Sequence, residues 1–174
     1  MVTSVIRQKT SLQDSVLEML NKQMGVEAHS SAAYLSMSAW CFEQGLNGSG
    51  EYFRKQSGEE REHMLKLFNY IADAGALAIS PEVVNIERSF EGMRDLFVRA
   101  LEMEIAITEN FNRMTEHCHK VRDYQTARFL QWYLDEQFEE EQQARRCVEI
   151  FDLMSSKDAL FDIDRQIHHL MKKD

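Results

Sequence analysis

The chain has 174 residues, a net charge of −9, 28% charged and 44% hydrophobic residues, one proline and seven glycines. That is one domain's length, enough to bury a core without staples, and the composition excludes collagen-like, low-complexity, disordered and turn-rich all-β chains. No apolar run approaches the about 18 residues of a membrane span, and the negative charge argues against nucleic acid as main partner while allowing cations.

Residues 1–10 read as an N-terminal arm and residues 11–174 as a single domain. Met1 to Leu20 carries charges and lacks an apolar leader core, so no secretory signal is expected. From about Leu12 to Phe42 the apolar period is close to 3.6, which predicts a first helix. Ser11-Leu12-Gln13-Asp14 has the spacing of a capping box ahead of it. Gly45 to Gly50 reads as a short loop with Ser49 as N-cap. A second helix is predicted from about Gly50 to Ala74, with Gly75 as its stop.

Ala76 to Phe90 lacks helical period and holds the only proline, Pro81, and the β-branched pair Val83-Val84. A helix of about 25 residues is about 37 Å long, and fifteen extended residues reach about 50 Å. This segment can therefore run the length of a bundle. A third helix is predicted over about Glu91–Lys120 and a fourth over about Asp123–Met154, joined by a short link. Ser155-Ser156-Lys157-Asp158 offers a capping box before a short fifth helix, about Ala159–Met171. The expected fold is all-α: a four-helix bundle of two hairpins, one long crossover at about 76–90, and a short C-terminal helix at about 159–171.

Each long helix carries one core stripe, stepping by three or four. They read Val16, Leu20, Met24, Glu27, Ser31, Tyr34; Phe53, Gln56, Glu60, His63, Leu67, Tyr70; Phe97, Ala100, Glu104, Ile107, Phe111, Met114; and Leu130, Tyr133, Gln137, Glu140, Ala144, Cys147, Phe151. Each stripe is interrupted near its middle by a carboxylate. A buried unpaired carboxylate costs several kcal/mol, and the stripes hold no lysine or arginine. Four carboxylates carry the charge that two divalent cations balance. A carboxylate-rich set with one histidine and no thiolate suits iron or manganese.

The spacings repeat. Glu60 lies 33 residues after Glu27, and Gln137 lies 33 after Glu104. Glu60-x-x-His63 is matched by Gln137-x-x-Glu140, each pair on one helical face. Two hairpins with one ligand register are what a pseudo-twofold dinuclear site needs. One metal position would draw on Glu27, Glu60 and His63. The other would draw on Glu60 as a bridge, on Glu104, and on Glu140 as a further candidate; it lacks a nitrogen ligand. An unequal pair suits metal that passes through after oxidation.

Four stretches carry a family resemblance: Val26-Glu27-Ala28-His29-Ser30-Ser31-Ala32-Ala33-Tyr34, Gly58-Glu59-Glu60-Arg61-Glu62-His63-Met64, Glu102-Met103-Glu104, and Phe129-Leu130-Gln131-Trp132-Tyr133-Leu134-Asp135-Glu136-Gln137. Together, over about residues 11–170, the chain resembles the non-haem ferritins of the bacterial and H-type, ferroxidase-competent kind. The resemblance implies a ferritin-like bundle. It implies Glu27, Glu60 and His63 as ligands of a first iron and Glu60, Glu104 and Glu140 around a second, with Gln137 nearby. It implies Tyr34 as the site tyrosine, a hydrogen-bond partner or electron donor. Glu59, Glu136, Glu139 and Glu140 match a third, weaker iron position. It further implies a homo-oligomeric shell of twenty-four subunits that oxidises Fe(II) with dioxygen or hydrogen peroxide and stores a ferric mineral. No haem is expected: the second Glu-x-x-His of bacterioferritins is absent, and Arg61 stands where they have methionine. The start of the fourth helix, Ala127-Arg128-Phe129-Leu130, departs from the acidic three-fold pore of animal ferritins.

Two rival classes stay open at this level, a di-iron peroxide reductase of the rubrerythrin type and a DNA-protecting mini-ferritin. The first usually needs two Glu-x-x-His motifs, and the second often carries a basic tail, whereas the arm here has only Arg7 and Lys9. No nucleic acid or membrane partner is expected. Cys41, Cys118 and Cys147 form no CxxC and read as buried thiols in a cytoplasmic protein. The ten methionines and Trp132 read as core filler, and Glu141 as part of a solvated face. Phe161, Ile163, Ile167 and Leu170 make a sticky face for docking onto neighbouring subunits. His168 and His169 read either as a pore-lining pair or as ordinary exposed histidines.

Overall fold

A computed structural model describes residues 10–154 and 160–170. The described residues form five helices: α1 (Asp14–Glu43), α2 (Asn47–Asp73), α3 (Met93–Val121), α4 (Tyr124–Leu153) and α5 (Leu160–Leu170). Among the described residues there is no strand. The chain folds as the expected ferritin-like bundle. α1 and α2 form one hairpin, α3 and α4 the other, and α5 packs back on α2. Among the described residues no helix is long and apolar enough to cross a membrane.

The turns follow from local chemistry. α1 ends in a Schellman motif: Leu46 N–H donates to Cys41 O at 2.9 Å, Gly45 N–H donates to Phe42 O, and Gly45 has φ +76°. α2 ends the same way, with Gly75 at φ +81° and Ala76 N–H donating to Ile71 O at 3.1 Å. α4 starts on Asp123, whose carboxylate accepts from Thr126 N–H at 3.0 Å and from the Thr126 hydroxyl at 2.6 Å.

Two expected caps are corrected. Ser11 does not cap α1: Gln13 holds that position and makes no side-chain cap. Ser49 does not precede α2 but lies within its first turn. The free N–H groups of Gly48 and Ser49 donate instead to Asp164 Oδ2 and Oδ1 of α5, at 2.9 and 2.7 Å. A carboxylate at a helix N-terminus is favoured by the helix dipole. The capping box at Ser155–Asp158 lies outside the described residues.

The crossover, 74–92, is irregular as expected and is strapped along α1. Asn21 donates to Leu77 O and accepts from Ile79 N–H, and Ser36 donates to Glu87 O. Fifteen helical residues separate those anchors, about 22 Å of rise. Ile163 and Ile167 of α5 are buried in the chain's own core, whereas Phe161 is exposed. The sticky face is thus partly consumed within the chain, which corrects the expectation that it serves neighbours alone.

The apolar interior falls into two clusters. One holds Tyr34, Met37, Phe53, Phe97 and Cys147, with Ile163 and Ile167. The other holds Leu20, Met24, Leu67, Ile107, Phe111, Leu130 and Tyr133. The stripes pass from one cluster to the other through a belt of buried polar side chains: Gln23, Glu27, Gln56, Glu60, His63, Glu104 and Gln137.

Candidate metal centre

The belt is built from one or two turns of each long helix. Glu27, Glu60, Glu104 and Gln137 are at most 1% exposed and His63 is 5% exposed; Glu140 is half-buried. Burial results from phase: each lies on a stripe whose flanking members are buried apolar residues, Leu20 and Met24 on α1, Phe53 and Leu67 on α2, Ala100 and Ile107 on α3, and Leu130 and Tyr133 on α4.

One carboxylate oxygen each of Glu27 and Glu60 and one ring nitrogen of His63 lie within 4.8 Å of one another. Glu27 Oε2, Glu60 Oε2 and His63 Nδ1 are buried with no hydrogen-bond partner. The Glu60 Oε2–His63 Nδ1 separation of 3.7 Å is too long for a hydrogen bond. Native interiors rarely leave such atoms orphaned, because each costs about 1–3 kcal/mol. The three residues each offer a ligand atom within 4.8 Å of the others, and a cation placed among them would give their unpartnered atoms a common partner. The two-carboxylate, one-imidazole donor set fits Fe(II).

The supports around His63 come from α4. The Tyr133 hydroxyl donates to His63 O at 2.8 Å, and Trp132 meets the imidazole edge-on at 5.4 Å. Lys66 Nζ lies 3.8 Å over the Trp132 ring.

The other half is tied by hydrogen bonds. Glu104 Oε1 accepts from the Tyr34 hydroxyl, and Oε2 accepts from Gln137 Nε2 at 2.9 Å. Glu140 Oε2 accepts from Gln56 Nε2 at 2.8 Å. Glu104, Gln137 and Glu140 therefore adjoin the Glu27–Glu60–His63 cluster without belonging to it.

Crowding of acids in a dry belt sets their protonation. Burial, then the neighbouring Glu60, pushes the Glu27 carboxyl well above the usual carboxylate range. Burial, with Glu104 next, raises Glu60 to about 8, and the same two causes raise Glu140 to about 8. Burial raises Glu104 too, opposed by the bonds from Tyr34 and Gln137. Tyr34 is raised well above the usual phenol range by burial and by Glu104. Without a cation the belt retains protons that a bound metal would displace.

Glu59, Glu136, Glu139 and Glu140 line one open cavity of about 890 Å³ beside the belt, together with Lys55 and Glu149. Glu59 is ion-paired with Lys55 at 3.2 Å. Glu141 is corrected: it is half-buried, accepting from the Thr108 hydroxyl at 2.7 Å and pairing with Arg145. All three cysteines are buried free thiols. His168 is half-buried and His169 exposed on α5.

Gln23 and Gln56 also belong to the belt, although neither is a candidate ligand by residue type. Their signal was available: each lies four residues before a candidate ligand, Gln23 before Glu27 and Gln56 before Glu60. Gln23 Nε2 donates to Glu27 Oε1 at 2.8 Å, whereas Gln56 reaches across to α4.

The family model of the ferritin-like domain matches residues 17–154. Over 160 residues the chain is 34% identical to the bacterial non-heme ferritin of Campylobacter jejuni, covering 91% of this chain and 96% of that protein. Over 130 residues it is 38% identical to the bacterial non-heme ferritin of Staphylococcus aureus, covering 75% and 78%. Among solved structures, the open-pore ferritin of Archaeoglobus fulgidus is similar with a TM-score of 0.87 and 30% identity, covering 91% of this chain and 98% of that one.

Proposed function

This chain belongs to the bacterial non-haem ferritins, an iron-storage family, and from there we propose that it is a ferroxidase that oxidises Fe(II) within each subunit and stores the ferric product in a hollow shell. The observation that carries this reading is the buried group Glu27, Glu60 and His63, whose ligand atoms lie within 4.8 Å of one another and each of which has a buried side-chain atom without a hydrogen-bond partner.

Fe(II) is the substrate. Glu27, Glu60 and His63 bind the first ion. Glu60 also faces the second, which Glu104 and Glu140 hold with Gln137 beside them. The carboxylates stabilise Fe(III) more than Fe(II), since the electrostatic gain grows with charge, and so favour oxidation. Each Fe(II) gives up one electron; dioxygen with two protons accepts two and becomes hydrogen peroxide, or hydrogen peroxide with two protons accepts two and becomes two molecules of water. Tyr34, bonded to Glu104, orients that carboxylate. The packing of Trp132 and Tyr133 around His63 keeps bulk water from that side.

Ferric ions leave past Glu140 into the acidic cavity of Glu59, Glu136 and Glu139, where a third ion binds more weakly. The shell has twenty-four subunits in this reading, and apolar side chains left exposed on α1 and the crossover, among them Leu35, Leu77, Ile79 and Val84, with Phe161 on α5, support burial against neighbouring subunits. Three unpaired thiols suit the reducing cytoplasm.

Stopped-flow oxidation of Fe(II) tests the proposal. Glu60→Ala and His63→Ala should abolish the fast phase, while light scattering gives the particle mass of the parent shell. Parent-like oxidation by both variants would place the chemistry elsewhere, and a twelve-subunit mass would contradict the shell.

A further inference from the structure

Of the four carboxylates Glu27, Glu60, Glu104 and Glu140, three carry a primary amide on one oxygen. Gln23 holds Glu27, Gln137 holds Glu104, and Gln56 holds Glu140. Glu60 alone has none, and its Oε2 has no partner. Gln137 and Gln56 bridge helices, but Gln23 acts within α1, one turn before its carboxylate.

Gln23 is 2% exposed, and its Nε2 reaches Glu27 Oε1 at 2.8 Å. That bond leaves Oε2 as the free oxygen of Glu27. A carboxylate with one oxygen fixed cannot rotate into a bidentate pose without breaking the bond. An amide is the suitable donor here. Lysine or arginine would cancel the charge that attracts a cation, and a glutamate would add another buried acid.

We infer that Gln23 is a positioning residue that fixes Glu27 so that one oxygen, Oε2, is presented to the first ion. The inference rests on the proposed ion site of Glu27, Glu60 and His63. Partners of metal ligands set ligand orientation in just this manner, and their loss typically weakens metal binding about 10–100-fold.

The test is equilibrium titration of the assembled, metal-free protein with Co(II), whose visible absorption reports its coordination. Gln23→Met keeps length and volume but removes the donor. It should weaken binding of the first ion by about 10–100-fold and change the Co(II) spectrum, with helical content unchanged. Gln23→Asn, one methylene shorter, should act in the same direction, and serves if Gln23→Met does not assemble. The decisive comparison is a double-mutant cycle with Glu27→Ala. In that background Gln23→Met should change the residual Co(II) affinity by less than twofold. An equal loss in both backgrounds would make Gln23 merely structural and overturn the inference. Parent-like affinity and spectrum in the Gln23 variants, with Glu27→Ala still impaired, would overturn it while leaving the ion site intact. Parent-like affinity in Glu27→Ala would remove the site, and the inference with it.

Discussion

The hydroxyl of Tyr34 on α1 donates to Oε1 of Glu104 on α3, joining the two hairpins at the level of the belt. Gln137 occupies the other oxygen. Glu104 is thus satisfied without metal, whereas Glu27 and Glu60 are not. An ion at the first position meets atoms that have no partner; an ion at the second shares Glu104 with Tyr34 and Gln137, each oxygen keeping a second lone pair to offer.

Tyr34→Phe therefore has a defined expectation. It strips one partner from a carboxylate that is 1% exposed, at a cost of about 1–3 kcal/mol in the metal-free protein. Loading with Mn(II) should shrink the penalty, because the freed Oε1 gains a cation. Thermal unfolding of parent and variant, with chelator and with Mn(II), checks this. An equal penalty in both conditions would contradict it.

The buried acids make the metal-free protein sensitive to alkali in a predictable direction. Glu60 and Glu140 titrate at about 8 in the folded chain, against about 4.3 when unfolded. Between those values the folded state holds more protons than the unfolded one. The stability these groups contribute is fully present below about pH 4 and is lost as pH rises through about 8. Chelator-treated protein should therefore melt at progressively lower temperature from pH 5 to pH 8.5. Excess Mn(II) should flatten the trend, since the cation replaces the protons. A melting temperature that rises with pH in chelator would contradict the protonation assigned to the belt.

The cap that α5 supplies to α2 is open to a separate check. Asp164→Ala removes the acceptor of the Gly48 and Ser49 amides and should cost about 0.5–2 kcal/mol. Hydrogen exchange should quicken at those two amides first. Gly48→Ala should be worse, because its Cβ would fall 2.3 Å from Asp164 O, a backbone atom that cannot swing aside. If exchange in the first turn of α2 is unchanged in both variants, α5 does not hold that terminus.

The parts of this molecule that were legible in the sequence are those governed by period and register. A three-four step predicts which helical face is buried, so Glu27, Glu60, His63 and Glu104 were identifiable as residues inside a core. The shared 33-residue interval ties the two hairpins to one level, and the fifteen-residue irregular stretch indicates the crossover. The start of α2 was not legible, because its cap comes from Asp164, more than a hundred residues onward. Glu141 was misread because Thr108, its partner, lies on another helix at a position that looks ordinary in the chain. Gln23 and Gln56 show the same limit. Their spacing marks both as neighbours of ligands, but only the fold reveals that one serves its own helix and the other serves α4.

The most direct measurement is X-ray diffraction at the iron edge from crystals soaked anaerobically with Fe(II). The account predicts an anomalous peak among Glu27, Glu60 and His63 in each subunit, and a second, weaker peak between Glu60, Glu104 and Glu140. Iron found only on the exposed acidic surface, with Glu27 Oε2 and His63 Nδ1 still unpartnered, would contradict it.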